Sequence, residues 1–450
     1  MSNGSTQLPI TALDVLQLHF CLLKLSGEVR IVEKDDIDAI LKGKKNGDIS
    51  FWDTKSGNLW MKRCLEKQPI ASDATKTLAD FWKNPNTHVF DEIAFSPLKT
   101  PSTTLNYWIG PLVQPQSGPW DLIQEYLQNV ICDGNTALYQ YLVRFLAHMV
   151  QCPEEKPGVM IIFLGRQGTG KGMFFQLLLK LWPRTTLVVS DIAQVVGQFN
   201  AALERNFAIC MDEAIFSGDK KSQDRLKSLV TEKTLRIEQK YQPSRTIDSI
   251  HRIFAASNHE HFSRIEGDDR RSLFIRVSAV RQNDYDYFAQ LNVALNDAAV
   301  IGAMLHDLMH IDLGGFNVRS RPLTREHDKQ KLLSLTGFDR YWYEVLCLGK
   351  FMQIHIYSPS LFDKDWIQGD FVSSHSLMQG FKAFDRNSER YETLQVAQVT
   401  NALKRLCPSL KKDRANLNGK QLRGFKLPPL DVARSQFESA FSVQLEWEEA

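Results

Sequence analysis

Residues Val159 to Trp182 constrain this chain more than any other stretch. They read VMIIFL, then GRQGTGKGM, then FFQLLLKLW. The first run is apolar with several β-branched residues and predicts a buried strand. The last is apolar at helical spacing. Strand, glycine loop, then helix is the layout of a phosphate-binding loop. Glycines let backbone N–H groups turn inward around a phosphate. The helix N-terminus adds partial positive charge. Lys171 adds a full charge within reach of terminal phosphates. Gly165, Arg166, Gln167, Gly168, Thr169, Gly170, Lys171, Gly172 and Met173 are therefore the expected nucleotide-binding residues. The plainer alternative is a glycine turn in front of a core helix, and the strand and helix context weighs against it.

One position departs from the pattern. Residue 172 is Gly, where a Ser or Thr hydroxyl would normally meet Mg²⁺. More of the metal's coordination must then fall on carboxylates, water and the phosphates. NFAICMDEA (Asn206 to Ala214) is an apolar run ending in Asp212 and Glu213. A buried strand that delivers two carboxylates at its C-terminal end can place a metal-directing acid and a water-polarising base. Asp212 is the expected Mg²⁺ ligand, directly or through water, and Glu213 the base. IHRIFAASNHE (Ile250 to Glu260) is a second such run, and its Asn258 can hold the lytic water or sense a γ-phosphate. GDDRRSLFIRVS (Gly267 to Ser278) then places Arg270 and Arg271 before another strand. An arginine there can reach a neighbouring subunit's nucleotide, or simply pair with Asp268 or Asp269.

With loop, paired acids, Asn strand and Arg pair in this order, the chain resembles a superfamily 3 helicase. More narrowly, it is similar to the helicase part of phage and plasmid primase–helicases, a family that includes the poxvirus primase–helicase. The resemblance runs from about Phe90 to the C-terminus. It is carried also by WIGP (Trp108 to Pro111), LVRFLAHMVQCPEEKPGV (Leu142 to Val159), TEKTLRIEQKYQPS (Thr231 to Ser244) and RGFKLPPLDVARSQFE (Arg423 to Glu438). It implies an α/β, AAA+-like P-loop core using ATP and Mg²⁺. It also implies a homo-oligomer, usually a hexameric ring, moving 3′ to 5′ on single-stranded or forked DNA in replication of a phage, plasmid or mobile element. Lys171, Asp212, Glu213, Asn258 and Arg270 or Arg271 take the catalytic roles given above. Lys240 and its neighbours fall where that superfamily grips DNA with a hairpin, and Gly at position 172 occurs in part of the family. A primase domain often precedes the helicase there. No primase-like acidic constellation is visible in the first hundred residues, so priming activity is not carried over; a separate primase or polymerase is kept as a candidate partner.

Composition sets outer limits. At 450 residues the chain can hold two or three domains, and its 43% hydrophobic and 24% charged shares are those of a globular protein. A net charge of +2 provides no overall basic field, so any grip on DNA must be local. The seven cysteines are scattered with no C-x-x-C, which points away from a zinc site or disulfide framework and towards a reducing cytosol. No basic leader and no run of about 20 apolar residues is present, so neither secretion nor a membrane is expected; the host cytoplasm is.

Four regions are expected. Residues 1–115 form an N-terminal α+β accessory region. There GEVRIVEKDD and GDISFWDTKSGNLWM alternate like strands, and LKGKKNGD reads as a basic turn. Residues 116–157 form a helical bundle or collar, residues 158–313 the ATPase core, and residues 314–450 a winged-helix-like domain. In the core, LRIEQKYQPSRTIDSI (Leu235 to Ile250) reads as two strands around a turn. Its Lys240, Tyr241 and Arg245 mix cations with an aromatic, a combination suited to phosphate contact and base stacking. His251, His259 and His261 lie close together without a fourth metal ligand. LQVAQVTNALKRL followed by PSLKKDRANLNGKQLRGFKLPP reads as helix, strand, turn, strand. Its Lys411, Lys412, Arg414, Lys420 and Arg423 are placed either for phosphates or for a packing role. The expected function is an ATP-dependent DNA helicase. The alternatives are an ATP-dependent origin-binding or loading factor without processive unwinding, and a nucleotide-binding assembly protein with little turnover.

Overall fold

The computed structural model describes residues 10–447 apart from 26, 43, 45–48, 71–72, 214–219, 239–243, 263–264, 266–268, 355–360, 385–395 and 418–419. The basic turn LKGKKNGD lies mostly outside the described residues. The chain divides into two units. The first holds Met1–Ala214, Lys220–Asn258 and Ile275–Pro322, and the second is built mainly from His259–Phe274 and Leu323–Ala450.

The first unit opens with a small α+β layer: α1 (Ala12–His19), β1 (Phe20–Leu25), β2 (Glu28–Glu33), α2 (Lys34–Leu41), β3 (Phe51–Trp52), α3 (Thr54–Glu66), α4 (Ala74–Lys83) and β4 (Val89–Phe90). The strands run in the order β3-β2-β1-β4, with β4 parallel to β1 and the other pairs antiparallel. Leu16, Phe20, Ile31, Met61 and Phe81 fill the core beneath. The alternation in GDISFWDTKSGNLWM predicts strand, yet among its described residues strand is confined to Phe51–Trp52, and Thr54 to Met61 belong to α3. Asp53 caps that helix by accepting from the Ser56 N–H, and Gly57, Met61 and Leu65 recur every four residues on its buried face. A strong cap followed by a helical stripe overrides a short alternating run.

A parallel pair, β5 (Glu92–Ala94) and β6 (Thr104–Asn106), leads to α5 (Asp121–Glu125), a π-helical turn (Tyr126–Ile131) and α6 (Thr136–Gln151). The main sheet follows with β7 (Met160–Leu164), α7 (Lys171–Leu181), β8 (Thr186–Val189), α8 (Ala193–Val196), β9 (Ala208–Met211) and α9 (Lys220–Thr231). A hairpin of β10 (Thr234–Ile237) and β11 (Arg245–Asp248) precedes β12 (Arg252–Ser257) and β13 (Ser272–Arg276). The strand order is β13-β7-β12-β9-β8. β7, β12, β9 and β8 are parallel neighbours. Every residue of β7, β9 and β12 is buried, as expected for strands covered on both faces. α10 (Tyr285–Asn296) and α11 (Ala298–His310) close the unit.

The second unit contains α12 (Arg325–Leu333), α13 (Gly337–Leu348), the hairpin β14 (Lys350–Ile354) and β15 (Leu361–Asp365), then β16 (Phe371–Ser373), α14 (Ser374–Phe384), α15 (Val396–Leu406), β17 (Lys411–Leu417), β18 (Lys420–Lys426) and α16 (Leu430–Phe441). β16, β18 and β17 form an antiparallel sheet in that order. Trp342, Phe381, Leu403, Phe425 and Phe437 share its core. No single described helix is long and apolar enough to cross a membrane.

The packing of α3 on β2 is testable. A Cβ added at Gly57 would stand 2.3 Å from Ile31 Cδ1. Gly57→Ala should therefore lose stability despite its better helix propensity, by about 1–3 kcal/mol in urea melts. Ile31→Val in the same chain should recover part of the loss. A stabilised single variant would show that the helix can move off the strand.

Candidate functional site

The loop after β7 is shaped by its own backbone and by three neighbouring segments. Its first N–H, from Gly165, donates to Ser257 O at 3.3 Å, tying the loop to the end of β12. Gly168 and Gly170 have φ of +77° and +92°, a region that side chains rarely adopt. α7 begins at Lys171, directly after the loop. Lys171 is only 7% exposed, and its Nζ donates to Gly165 O and Arg166 O, both at 2.8 Å. The Thr169 hydroxyl donates inward to Arg166 O at 2.9 Å and is buried. Thr169 is thus part of the loop's internal bonding and does not stand in for the hydroxyl lacking at Gly172.

The electrostatics tie Lys171 to residues elsewhere. Burial lowers its pKa from the ordinary lysine value. The fields of Asp212 and Glu213 oppose that shift, and Arg276 adds to it. Asp212 and Glu213 follow β9 directly. The Asp212 N–H donates to Val189 O at 2.8 Å, and the Glu213 N–H to Asp212 Oδ1 at 3.1 Å. Glu213 is exposed and has a φ of +54°, a left-handed conformation that costs a non-glycine residue on the order of 1 kcal/mol. Register explains why these groups share one edge. Ser257 pairs with Leu164, and Ala255 with Met211, across three adjacent parallel strands. The residues next in chain, Gly165, Asp212 and Asn258, therefore emerge together at the C-terminal ends of the strands, where α/β sheets place ligands. Asn258 is exposed there.

Several contributors were not legible as site residues. Arg276 ends β13, the strand beside β7. The segment after it closes over the loop: Asn283 N–H donates to Gly168 O at 3.1 Å, and Gln282 Nε2 to Gln167 O at 2.9 Å. From the other side, buried Tyr126 of the π-helical turn donates its hydroxyl to Gly170 O at 2.9 Å. π-helical turns often sit at functional sites.

The expected arginine and hairpin residues fare differently. Arg270 and Arg271 belong to the second unit. The Asp269 carboxylate accepts from the N–H groups of Arg271 (3.3 Å) and Ser272 (3.2 Å), with His327 Nε2 at 3.4 Å. Burial pushes the Asp269 carboxyl up, and those bonds outweigh it, holding it below the usual carboxylate value. Arg270 is exposed, whereas the Nε of Arg271 is buried with no hydrogen-bond partner among the described residues. Lys240 and Tyr241 lie outside the described residues. Arg245 was expected to contact DNA. Instead its guanidinium forms a two-pronged ion pair with Glu204, the Nε–Oε1 distance being 2.5 Å, and this pairing raises its pKa. It clamps the hairpin to the turn at Ala201–Arg205. His251 is likewise internal, bonded to Ser249 and to Leu203 O. No group of three or more potential metal ligands occurs among the described residues. All seven cysteines are free thiols.

Comparison with known proteins adds three findings. Residues 163–271 match the model of a family of unknown function (DUF5906). The chain is 29% identical over 172 residues to the DNA primase-polymerase of Nitratiruptor phage NrS-1, covering 37% of this chain and 24% of that protein. It thus spans about a quarter of the curated relative it matches. Two apo structures of the NrS-1 C-terminal region share its fold, each with a TM-score of 0.62 and 17% identity. The first covers 92% of this chain and 98% of the other, the second 93% and 99%.

The loop's glycines should not be interchangeable. A Cβ on Gly170 would sit 2.5 Å from Phe288 Cε1 in addition to the backbone strain, whereas one on Gly172 would meet nothing within 4 Å. Gly172→Ser should melt within about 0.5 kcal/mol of the parent chain or slightly above it. Gly170→Ala should lose about 1–3 kcal/mol and loosen the loop, read as faster amide exchange at Lys171 and Gly172. Equal melting of the two variants would show that the α10 contact does not shape the loop.

Proposed function

We propose that this chain is an ATP-driven motor on DNA: a ring-forming helicase of the superfamily 3, AAA+ P-loop type, with a winged helix in its second unit. One observation carries the reading. Three neighbouring strands bring the glycine loop with Lys171, the carboxylates Asp212 and Glu213, and Asn258 to a single edge of a parallel sheet. That set suits a triphosphate and a lytic water better than it suits a purely structural turn.

The residues divide the work by position. Lys171 exchanges its two carbonyl partners for β- and γ-phosphate oxygens, whose charge opposes the lowering of its pKa by burial. The backbone N–H groups of Gly168 to Met173 cradle the phosphates. Glu213, exposed beside Asp212, accepts a proton from the attacking water, and Asn258 orients that water. Mg²⁺, when bound with the nucleotide, neutralises charge developing on the phosphates. Asp212 with waters and phosphate oxygens is a fitting donor set for an ion that rarely needs an all-protein cage. The exposed Arg270, braced through Asp269 and His327, is the better candidate for an arginine finger from a neighbouring copy in a hexamer.

In the second unit α13, then, after the β14–β15 hairpin, β16, α14, α15, β17 and β18 with the sheet β16-β18-β17 support reading a winged helix, and the exposed Lys411, Lys412, Arg414 and Arg423 on its hairpin support DNA contact. The similarity to a phage primase-polymerase supports a place in phage, plasmid or mobile-element replication, in the cytoplasm of the bacterial host and alongside a primase or polymerase. Single-stranded or forked DNA, travelled 3′ to 5′, is the proposed track. The exposed basic hairpin also favours a second reading, an origin-binding or loading factor that remodels DNA without processive unwinding.

Lys171→Ala should lower DNA-stimulated ATP hydrolysis and strand displacement at least 100-fold, roughly the loss of one well-placed charge contact to the transition state. Unwinding that survives this change excludes the motor. Glu213→Gln should bind ATP normally and hydrolyse it about 10²–10⁴ times more slowly; normal turnover would mean that another group activates the water. Arg270→Ala subunits mixed with wild type should depress activity more than their share of the mixture, with Arg271→Ala as the comparison. DNA-stimulated turnover without strand displacement would select the loading factor.

A further inference from the structure

A cavity of about 420 Å³ lies at the opposite edge of the main sheet, lined by residues that precede β7 and β12. Lys156, Lys233, Ser249 and Arg319 are in its wall. Behind it Arg252 is fully buried, and its guanidinium donates only to the carbonyls of Ile250 (2.8 Å), Cys152 (3.0 Å) and Pro153 (3.5 Å). Lys156 Nζ donates to Ser249 Oγ at 2.6 Å. That hydroxyl is bound in turn to His251 Nδ1 at 2.9 Å, and His251 Nε2 to Leu203 O at 2.9 Å. Only a neutral imidazole protonated on Nε2 fits this chain, with Ser249 donating to Nδ1. Burial, with Lys156 and Arg252 nearby, holds the His251 pKa at about 3.

Two cations are thus set side by side. Among the described residues no carboxylate lies within ion-pair distance of Lys156 or Arg252, and Lys156 has two further N–H donors beyond the one on Ser249. Burial and the Arg252 charge bring the Lys156 pKa down to about 7, against the opposing field of Glu232. Glu154 and Glu155 act on Arg252 and Glu232 on Lys156 only through space, so N–H donors without an acid at ion-pair distance are left facing a partly enclosed space, which favours an anion. The acids in the wall, Glu154, Glu155 and Asp248, are all exposed, and Glu155 is drawn to His148 at 3.3 Å. A second cavity of about 370 Å³ shares Phe95, Ser96 and Asp248 with the first. In it the Arg205 guanidinium stacks on the Tyr107 ring at 3.9 Å, next to Thr234 and Thr246.

We propose that this pair of cavities binds one nucleotide unit, its phosphate on Lys156 and Arg319 and its sugar and base beside the Tyr107–Arg205 pair. The site is separate from the glycine loop, which follows the other end of β7, and it does not rest on the nucleotide reading of that loop. It sits at the root of the β10–β11 hairpin. Lys233 precedes β10, Asp248 ends β11, and the Ser249 N–H closes the root on Lys233 O at 2.8 Å. The unit can come from a free mononucleotide or from a single strand passing the hairpin.

Labelling of the full chain separates these sources. Lysines are methylated reductively near pH 7.5 and read by peptide mass spectrometry. The runs contain no ligand, inorganic phosphate, thymidine monophosphate or oligothymidylate. At saturation the nucleotide should slow Lys156 labelling at least about threefold. Protection by oligothymidylate alone identifies a strand, and protection by the monophosphate identifies a free nucleotide. Inorganic phosphate protecting as well as either nucleotide would overturn the nucleotide assignment. The same protection is expected in Lys171→Ala, so the two sites are judged independently. Arg319→Gln, checked for an unchanged melting curve, should weaken it. Unchanged Lys156 labelling with all probes, or equal protection in Arg319→Gln, would sink the proposal.

Discussion

The candidate site depends on one small arrangement: the Lys171 ammonium held by the carbonyls of Gly165 and Arg166 at the start of its own loop. A charge that is only 7% exposed needs partners, and these two oxygens supply them from within the motif. For the carbonyls to face inward, the intervening backbone must fold back on itself, which is why Gly168 and Gly170 take positive φ values. At Gly168 and Gly170 the folded loop has no room for a side chain, because Asn283 presses on the first and Phe288 on the second. The lysine's position, the glycines' conformations and the packing of α10 are one constraint seen from three sides.

That constraint also explains what could be read from the amino-acid order. Gly165, Asp212 and Asn258 each follow directly on an apolar strand, and Lys171 opens the apolar helix after the glycine loop, so contiguous runs announce them. Parallel register does the rest, since strands that start in step end in step. Arg276 and Tyr126 carry no such mark, because their relevance comes from strand β13 lying beside β7 and from a π-helical turn meeting Gly170. Arg245 makes a contact its neighbours do not announce: Glu204, 41 residues away in sequence, pairs with its guanidinium. In the N-terminal layer a two-residue periodicity in Phe51 to Met61 loses to the Asp53 cap and to the buried stripe of Gly57, Met61 and Leu65.

Burial separates the two arginines: Arg270 is exposed and Arg271 half-buried. The carboxylate of Asp269, fixed by His327, holds the backbone at Arg271 and Ser272. Arg271 is left with a buried Nε, and Arg270 is exposed. The bracing comes from α12, more than fifty residues downstream, which again is tertiary information.

The two ends of β7 and β12 present opposite chemistry to ligands. At the C-terminal ends the Lys171 Nζ donates to two carbonyls and lies in the field of Asp212 and Glu213. At the N-terminal ends Lys156 donates to the Ser249 hydroxyl and Arg252 to backbone carbonyls. Both strands are fully buried and locked in register from Met160–Ile253 to Leu164–Ser257. They cannot slide past each other without breaking the ladder, so the two edges are joined by a rigid segment of about 15 Å. The hairpin joins this segment at its N-terminal edge, where Ser249 closes the hairpin's root and directly precedes the residues leading into β12. The glycine loop meets the end of β12 through the Gly165 N–H to Ser257 O hydrogen bond, and β12 runs back along the chain to the hairpin root at Ser249.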